Sequence, residues 1–284
     1  MNSKIEKIFK KLTQNKLGIY HLSSKTKISY PVDGHQSCYQ IEDKSFWFQH
    51  RNDVISQGVK KYNNENIFFD VGGGNGFVSK RLQDDGLDVF LIEAGIDGSK
   101  NAKDRGVNNV ICTTIQDIGL SQKSIYSIGL FDVLEHIKRD KQFLKDINIY
   151  LKNEGYLYIT VPAYDLLWSQ EDINAGHFRR YTLSSMTKIL NDSGFKIEYS
   201  TYIFSILVIP ILLFRVFFKR LLHKKDKRKI DKAKDDHEIK NIVLQKLLKK
   251  VLVFELFLIK KGIKIPFGGS CFIICKKIKD STNL

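Results

Sequence analysis

Asp70, Gly72, Gly74, Gly76 and Glu93 are the residues of this 284-residue chain whose types and spacing point most directly to chemistry. Residues 68–76 read Phe-Phe-Asp-Val-Gly-Gly-Gly-Asn-Gly, an apolar run that ends in a carboxylate and a glycine loop. Such glycines let the backbone turn tightly and approach a ligand where any Cβ would collide. Asp70 falls at the carboxyl end of that run, where open α/β sheets place their ligands. Glu93 ends a second apolar run roughly 20 positions further on, the spacing of a carboxylate that accepts both ribose hydroxyls of an adenosine cofactor. This pattern supports a nucleoside ligand without choosing one. A dinucleotide fingerprint G-x-G-x-x-G starting at Gly72 would need glycine at 77, and Phe77 stands there. Two histidines, His136 and His177, are of the residue type whose ordinary pKa lies near neutral pH, and either could take a proton from an acceptor hydroxyl. Arg179 and Arg180 follow the second, and the three cations together suit an anionic, phosphorylated substrate. A helix-capping loop, with Thr182 as N-cap and Arg179 in a surface ion pair, accounts for the same stretch without any ligand.

These residues need strands and helices to hold them. Strand and helix signals alternate along the chain, as a doubly wound sheet requires. Strands are predicted at residues 67–71, 89–93, 109–112, 126–131, 156–161, 195–202 and 270–276, with helices filling the gaps. At 284 residues the chain allows one domain of ordinary size with an elaboration. A hydrophobic content of 43% and only four prolines argue against extensive disorder.

Three elements, in order, carry a resemblance to a known family. Asp70, Gly72, Gly74 and Gly76 resemble the D-x-G-x-G-x-G signature of class I S-adenosylmethionine-dependent methyltransferases. Asp132-Val-Leu-Glu-His136 and the following Ile137 are similar to the D-x-L-E-H-I element after the fourth strand of small-molecule members. Leu151-Lys-Asn-Glu-Gly155 resembles the L-K-x-G-G turn before their fifth strand. Further on, Gly176-His-Phe-Arg-Arg-Tyr-Thr182 resembles a G-H-x-R-R-Y-T stretch of bacterial methyltransferases that accompany polysaccharide and lipid-linked glycan pathways.

The resemblance implies an α/β, Rossmann-like, doubly wound and mostly parallel seven-stranded sheet. Its last strand runs antiparallel beside the fifth and follows a helical insertion. The implied cofactor is S-adenosyl-L-methionine, held by Arg51, Asp70, Gly72, Gly74, Gly76, Glu93, Asp117 and Phe131. Arg51 would pair with the carboxylate of its methionine end, since guanidinium suits bidentate carboxylate binding. Trp47 and Phe48 would form an apolar lid there, or serve as plain core aromatics. Trp47, Arg179, Arg180 and Tyr181 fall to the substrate, and no metal is expected. Of the two candidate bases, His177 lies on the substrate side and is preferred; His136 belongs to the cofactor-side element. The implied reaction is methyl transfer to a small or lipid-linked acceptor. An RNA methyltransferase and a non-catalytic, membrane-tethered scaffold are the alternatives, and Phe77 disfavours a nicotinamide-dependent oxidoreductase.

Three divisions follow: residues 1–45, an N-terminal helical segment; 46–203 with 266–279, the cofactor-binding domain; and 204–265, a basic, apolar helical insertion. Residues 202–218 are almost wholly apolar, yet they carry Pro210 and Arg215 and fall short of the about 20 apolar residues that a bilayer span needs. A lysine-rich run follows, then an amphipathic stretch at 242–259. An element lying in the interface of an anionic membrane fits this order, with lysines on the head groups; two helices packed on each other or in a homodimer contact fit it too. The formal charge of +15 raises nucleic acid as a partner, but much of the excess sits beside this apolar stretch and no RNA-binding signature appears. Nucleic acid is therefore not expected. The four cysteines, Cys38, Cys112, Cys271 and Cys275, show no metal spacing and read as reduced thiols. Residues 1–16 lack the apolar segment of a signal peptide, so a cytoplasmic protein, peripheral at the inner face of the membrane, is expected.

Overall fold

The computed structural model describes residues 12–21, 39, 41–206 and 242–279. Nine strands among them are β1 (Thr13–Gln14), β2 (Tyr20–His21), β3 (Ile67–Val71), β4 (Asp88–Glu93), β5 (Asn109–Cys112), β6 (Ile125–Phe131), β7 (Leu151–Pro162), β8 (Phe195–Ile203) and β9 (Ser270–Lys277). The helices are α1 (Phe46–Tyr62), α2 (Phe77–Asp84), α3 (Ile96–Asp104), α4 (Asp140–Tyr150), α5 (Gln170–Ala175), α6 (Leu183–Asn191) and α7 (Ile242–Lys260), with a 3-10 turn at Leu134–His136.

One sheet runs in the order β1-β2-β5-β4-β3-β6-β7-β9-β8. Strands β3 to β7 are parallel, and β9 lies antiparallel between β7 and β8. The central strands are apolar on both faces because helices cover both, as parallel sheets require. On one face α1, α2 and α7 bury Val54, Ile55, Val78 and Leu252 against Phe68, Tyr158, Phe272 and Ile274. On the other, Leu144, Ile147, Met186 and Leu190 of α4 and α6 pack on Ile128, Leu130 and Ile159.

All seven predicted strands are present, and β9 has the predicted direction and place. Two differences stand out. Within the N-terminal segment expected to be helical, residues 12–21 form a hairpin instead, and β2 joins the edge of β5 in parallel, with Tyr20 opposite Ile111. Two-residue strands carry too little periodicity to be seen in a sequence. The second difference concerns the insertion. From residue 248 onward, α7 packs on α1, burying Leu252, Glu255 and Ile259. This part of the predicted 204–265 block therefore belongs to the packing of the fold. The apolar run at 207–218, the lysine-rich segment after it, and Cys38 lie outside the described residues.

The strand order reverses between β3 and β6. From β3 the chain moves outward through β4 and β5; from β6 it moves the other way through β7. At such a switch point the loops leaving two neighbouring strands part and leave a crevice at the carboxyl ends. The loop after β3 and the turn after β6 border it.

Candidate functional site

The glycine loop is shaped by what surrounds it. Gly72 and Gly76 have φ of 71° and 75°, left-handed values that disfavour a side chain. A Cβ on Gly72 would lie 2.8 Å from Val133 Cγ2, and one on Gly76 2.8 Å from Ala102 Cβ. Bare backbone is thus required on both sides, and α2 begins directly after it. Gly72 N–H donates to Ile92 O at 2.8 Å, tying the loop to β4.

Asp70 is fully buried, and its Oδ2 accepts from Ser79 Oγ at 2.6 Å. Oδ1 is buried with no hydrogen-bond partner. Burial pushes this carboxyl up to about 6, against the opposing pull of the Ser79 bond and of Arg51. Glu93, at the end of β4, accepts from Gly74 N–H at 2.9 Å and from Gly95 N–H at 2.6 Å. Its carboxylate is thereby fixed at the strand end, next to the loop. Asp117 lies in the loop after β5, half-buried, where Oδ2 accepts from Thr114 Oγ1 at 2.8 Å. Phe131, the last residue of β6, is buried and stacks near-parallel on Phe68 at 6.3 Å, part of the core under the crevice.

Arg51 projects from α1 and pairs with Asp132, the first residue beyond β6, while its Nε is buried without a partner. Asp132 holds a left-handed φ of 58°, which is costly for a residue with a Cβ. Its surroundings impose it: Thr160 Oγ1 donates to Oδ1 at 2.8 Å, and Asp132 N–H donates to Thr160 O at 3.0 Å. Trp47 stacks on Phe204 at 3.5 Å between ring centres, an apolar contact of the core, and Phe48 lies under the Arg51 guanidinium at 5.3 Å.

The two histidines, 41 positions apart in sequence, meet edge to face with ring centres 4.7 Å apart. His136 closes the 3-10 turn after β6; His177 follows α5. Burial, then the neighbouring His177, pulls His136 down to about 4, so its ring is neutral at physiological pH. His177 Nδ1 bonds Asp172 Oδ1 at 2.9 Å, and Phe178 N–H donates to Glu135 O at 2.8 Å, joining the two segments. Asp172 also receives Arg180 Nε at 2.8 Å and Nη2 at 2.9 Å, and Ser169 N–H at 2.7 Å. Burial alone would raise its carboxyl, but the His177 and Arg180 bonds hold it well below the usual range.

The residues expected on the substrate side are engaged by groups of the protein itself. Arg179 donates to Asp140 Oδ2 at 2.5 Å and to Lys138 O at 2.9 Å. Tyr181 is buried, its hydroxyl on Asp140 Oδ2 at 2.9 Å. Thr182 caps α6, accepting from Ser185 N–H at 3.0 Å. All three, with Arg180, hold the segment that carries His177; the ligand-free reading of this stretch describes these contacts. Sequence reasoning missed Asp132, Glu135 and Asp172. Asp132 and Glu135 stood in a recognised element, but only the fold brings Arg51 and His177 to them.

Residues 47–200, more than half of the chain, match the family described as Methyltransferase domain. The chain belongs to that family. It is a class I S-adenosylmethionine-dependent methyltransferase, and S-adenosyl-L-methionine is its cofactor. No curated protein sequence matches it. Among solved structures, it is similar to the methyltransferase in complex with the Trm112 activator from Haloferax volcanii, at 13% identity and TM-score 0.56, covering 89% of this chain and 96% of that one. Phosphoethanolamine N-methyltransferase 2 of Haemonchus contortus, in complex with phosphomonomethylethanolamine and S-adenosylhomocysteine, gives 17% identity and TM-score 0.55, over 88% of this chain and 58% of that one. A Thermotoga maritima S-adenosylmethionine-dependent methyltransferase gives 13% and 0.52, over 87% and 96%. Likenesses at these identities speak to the fold.

The crevice fits the cofactor by charge. A buried acceptor without a donor (Asp70 Oδ1) and a buried donor without an acceptor (Arg51 Nε) border it, and the cofactor's methionine end carries one ammonium and one carboxylate. Glu93 stands where ribose hydroxyls would donate.

Proposed function

We propose that the chain transfers a methyl group from S-adenosylmethionine to a small or lipid-linked acceptor of a glycan pathway, presented at an anionic membrane surface. The cofactor supplies a methyl already activated by its sulfonium, so the protein has mainly to align donor and acceptor and exclude water. Glu93 and the bare glycine loop bind the nucleoside; Asp70 and Arg51, the latter steadied by Asp132, hold the ammonium and the carboxylate of the methionine end. Asp117 flanks the nucleoside, and Phe131 forms part of the apolar floor beneath it. On the acceptor side His177, oriented by Asp172, is placed to take a proton from a hydroxyl, with His136 beside it.

One observation carries the membrane reading. The outer side of α7 exposes Val253, Phe254 and Phe257, and Ile263 and Phe267 continue the exposure beyond it. Lys249, Lys250, Lys260 and Lys261, all exposed, flank Val253, Phe254 and Phe257 along the chain. Lys60, Lys61 and Lys260 also line a cavity of about 310 Å³ between α1 and α7. Exposed apolar groups flanked by lysines suit the headgroup boundary of an anionic bilayer. Among the described residues no helix is long and apolar enough to cross a membrane.

The test is transfer of labelled methyl from S-adenosylmethionine to cell extracts divided into lipid, water-soluble and RNA fractions. Label should enter the lipid or small-molecule fraction. The Glu93→Ala variant should label far less, having lost charge-assisted ribose bonds worth about 1.5–3 kcal/mol. Label confined to RNA would replace this acceptor by a nucleic acid.

A further inference from the structure

Glu135, His136 and His177 meet beyond the carboxyl end of β6, each offering one ligand atom within 4.8 Å of the others. Two of these residues come from the Leu134–His136 turn and the third from the connection between α5 and α6. Glu135 is 1% exposed, and its Oε2 is buried with no hydrogen-bond partner. A carboxylate in that position is costly unless a proton or a cation meets it. The nearest guanidinium groups, Arg51 and Arg180, are committed to Asp132 and Asp172. His177 is fixed through Nδ1 by Asp172, which leaves Nε2 as its outward atom. A carboxylate behind an imidazole is the arrangement that orients histidine ligands toward a metal. Asp172 is itself locked by Arg180 and by Ser169, so the ring has a rigid support.

We propose that Glu135, His136 and His177 form a binding site for a divalent transition-metal cation at the acceptor end of the crevice. Two imidazole nitrogens and one carboxylate oxygen suit zinc, iron(II), cobalt(II) or manganese(II) better than calcium or magnesium, which prefer oxygen alone. Bonds of about 2.0–2.2 Å mean that two donors on one cation lie at most about 4.3 Å apart. The three ligand atoms, all within 4.8 Å of one another, reach such spacings by side-chain rotation. Three protein ligands leave a position free, and an oxygen of the acceptor can fill it. Only the identity of that last ligand rests on the methyltransferase reading; the cation site does not. With the cation bound, an acceptor hydroxyl on it is acidified and gives its proton to solvent, and the role of His177 as base belongs to the cation-free chain.

The experiment uses the full chain, dialysed against chelator and titrated with cobalt(II) and then zinc(II). Cobalt(II) should develop visible absorption at one equivalent per chain, and zinc(II) should displace it. Glu135→Gln and His177→Ala should each weaken cobalt binding at least about tenfold. Calorimetry with S-adenosylhomocysteine on the same samples reports on the fold and on the cofactor reading separately. If one variant loses S-adenosylhomocysteine binding, the other decides, with His177→Gln as a third. A wild-type chain with no cobalt absorption, or folded variants that bind cobalt as tightly as wild type, overturns the proposal.

Discussion

Asp70 combines complete burial with a raised carboxyl, and its titration has consequences for the fold and for the cofactor. An unfolded chain releases this proton near 3.8, while burial moves it up to about 6 in the folded protein. Because the folded value is the higher, the neutral form favours folding. That stabilisation is complete below the unfolded value and lost as pH rises through about 6. Above this pH the protein carries a buried anion that a cationic ligand relieves. Cofactor affinity should therefore climb from about pH 5 to about pH 7 and level off, with proton release near pH 6. Calorimetry of S-adenosylmethionine binding in two buffers of different ionisation enthalpy measures that proton. A flat profile would separate Asp70 from the cofactor's charged end.

At the scale of elements, α7 is joined to α1 by one buried carboxylate. Glu255 is 2% exposed and accepts from His50 Nε2 at 2.8 Å, from Phe204 N–H at 2.7 Å and from Ser205 N–H at 2.8 Å. Burial would raise its carboxyl, but the His50 and Ser205 bonds hold it below the ordinary range. Its folded value being the lower, its contribution is present above the unfolded value of 4.5 and lost as pH falls through the folded one. Glu255→Ala leaves a histidine and two backbone N–H groups unsatisfied and should cost about 3 kcal/mol. Thermal unfolding at neutral pH measures this, and the gap from wild type should narrow in acid. Equal midpoints at neutral pH would show that the helix is held by its apolar stripe alone. The clamp also explains how the insertion is accommodated. Residues 204 and 205 are fixed to α7 before the chain leaves the described part of the fold.

For the whole molecule, the distribution of charge and apolar surface leads to a binding experiment. The +15 charge and the exposed Phe254 and Phe257 predict flotation with anionic liposomes that weakens as salt rises. Phe254→Ser combined with Phe257→Ser should reduce flotation while S-adenosylhomocysteine still binds. Replacing 207–241 by a short linker removes many of the lysines and should reduce it further. The clamp at Glu255 and the buried Leu252 and Ile259 remain in that variant, so the domain should still fold. Binding that ignores salt and both changes would place the attachment elsewhere.

By itself the sequence determined the strands and grouped the residues proposed for the cofactor, because these are local. Asp70 and the glycines sit within seven positions, and Glu93 follows one strand later, so strand periodicity and loop chemistry suffice to place them. Strand order, the antiparallel β9 and the identity of the cofactor were legible only through short elements that resemble a family. Tertiary structure alone decided which groups meet on the side proposed for the acceptor. His136 meets His177, and Arg51 meets Asp132, across 41 and 81 positions of chain, and no local pattern encodes such a meeting. Arg179, Arg180 and Tyr181 read as substrate ligands because their types suit anions, yet the fold spends them on Asp140 and Asp172. A buried carboxylate needs partners, and which cations supply them depends on what the folded chain brings within reach.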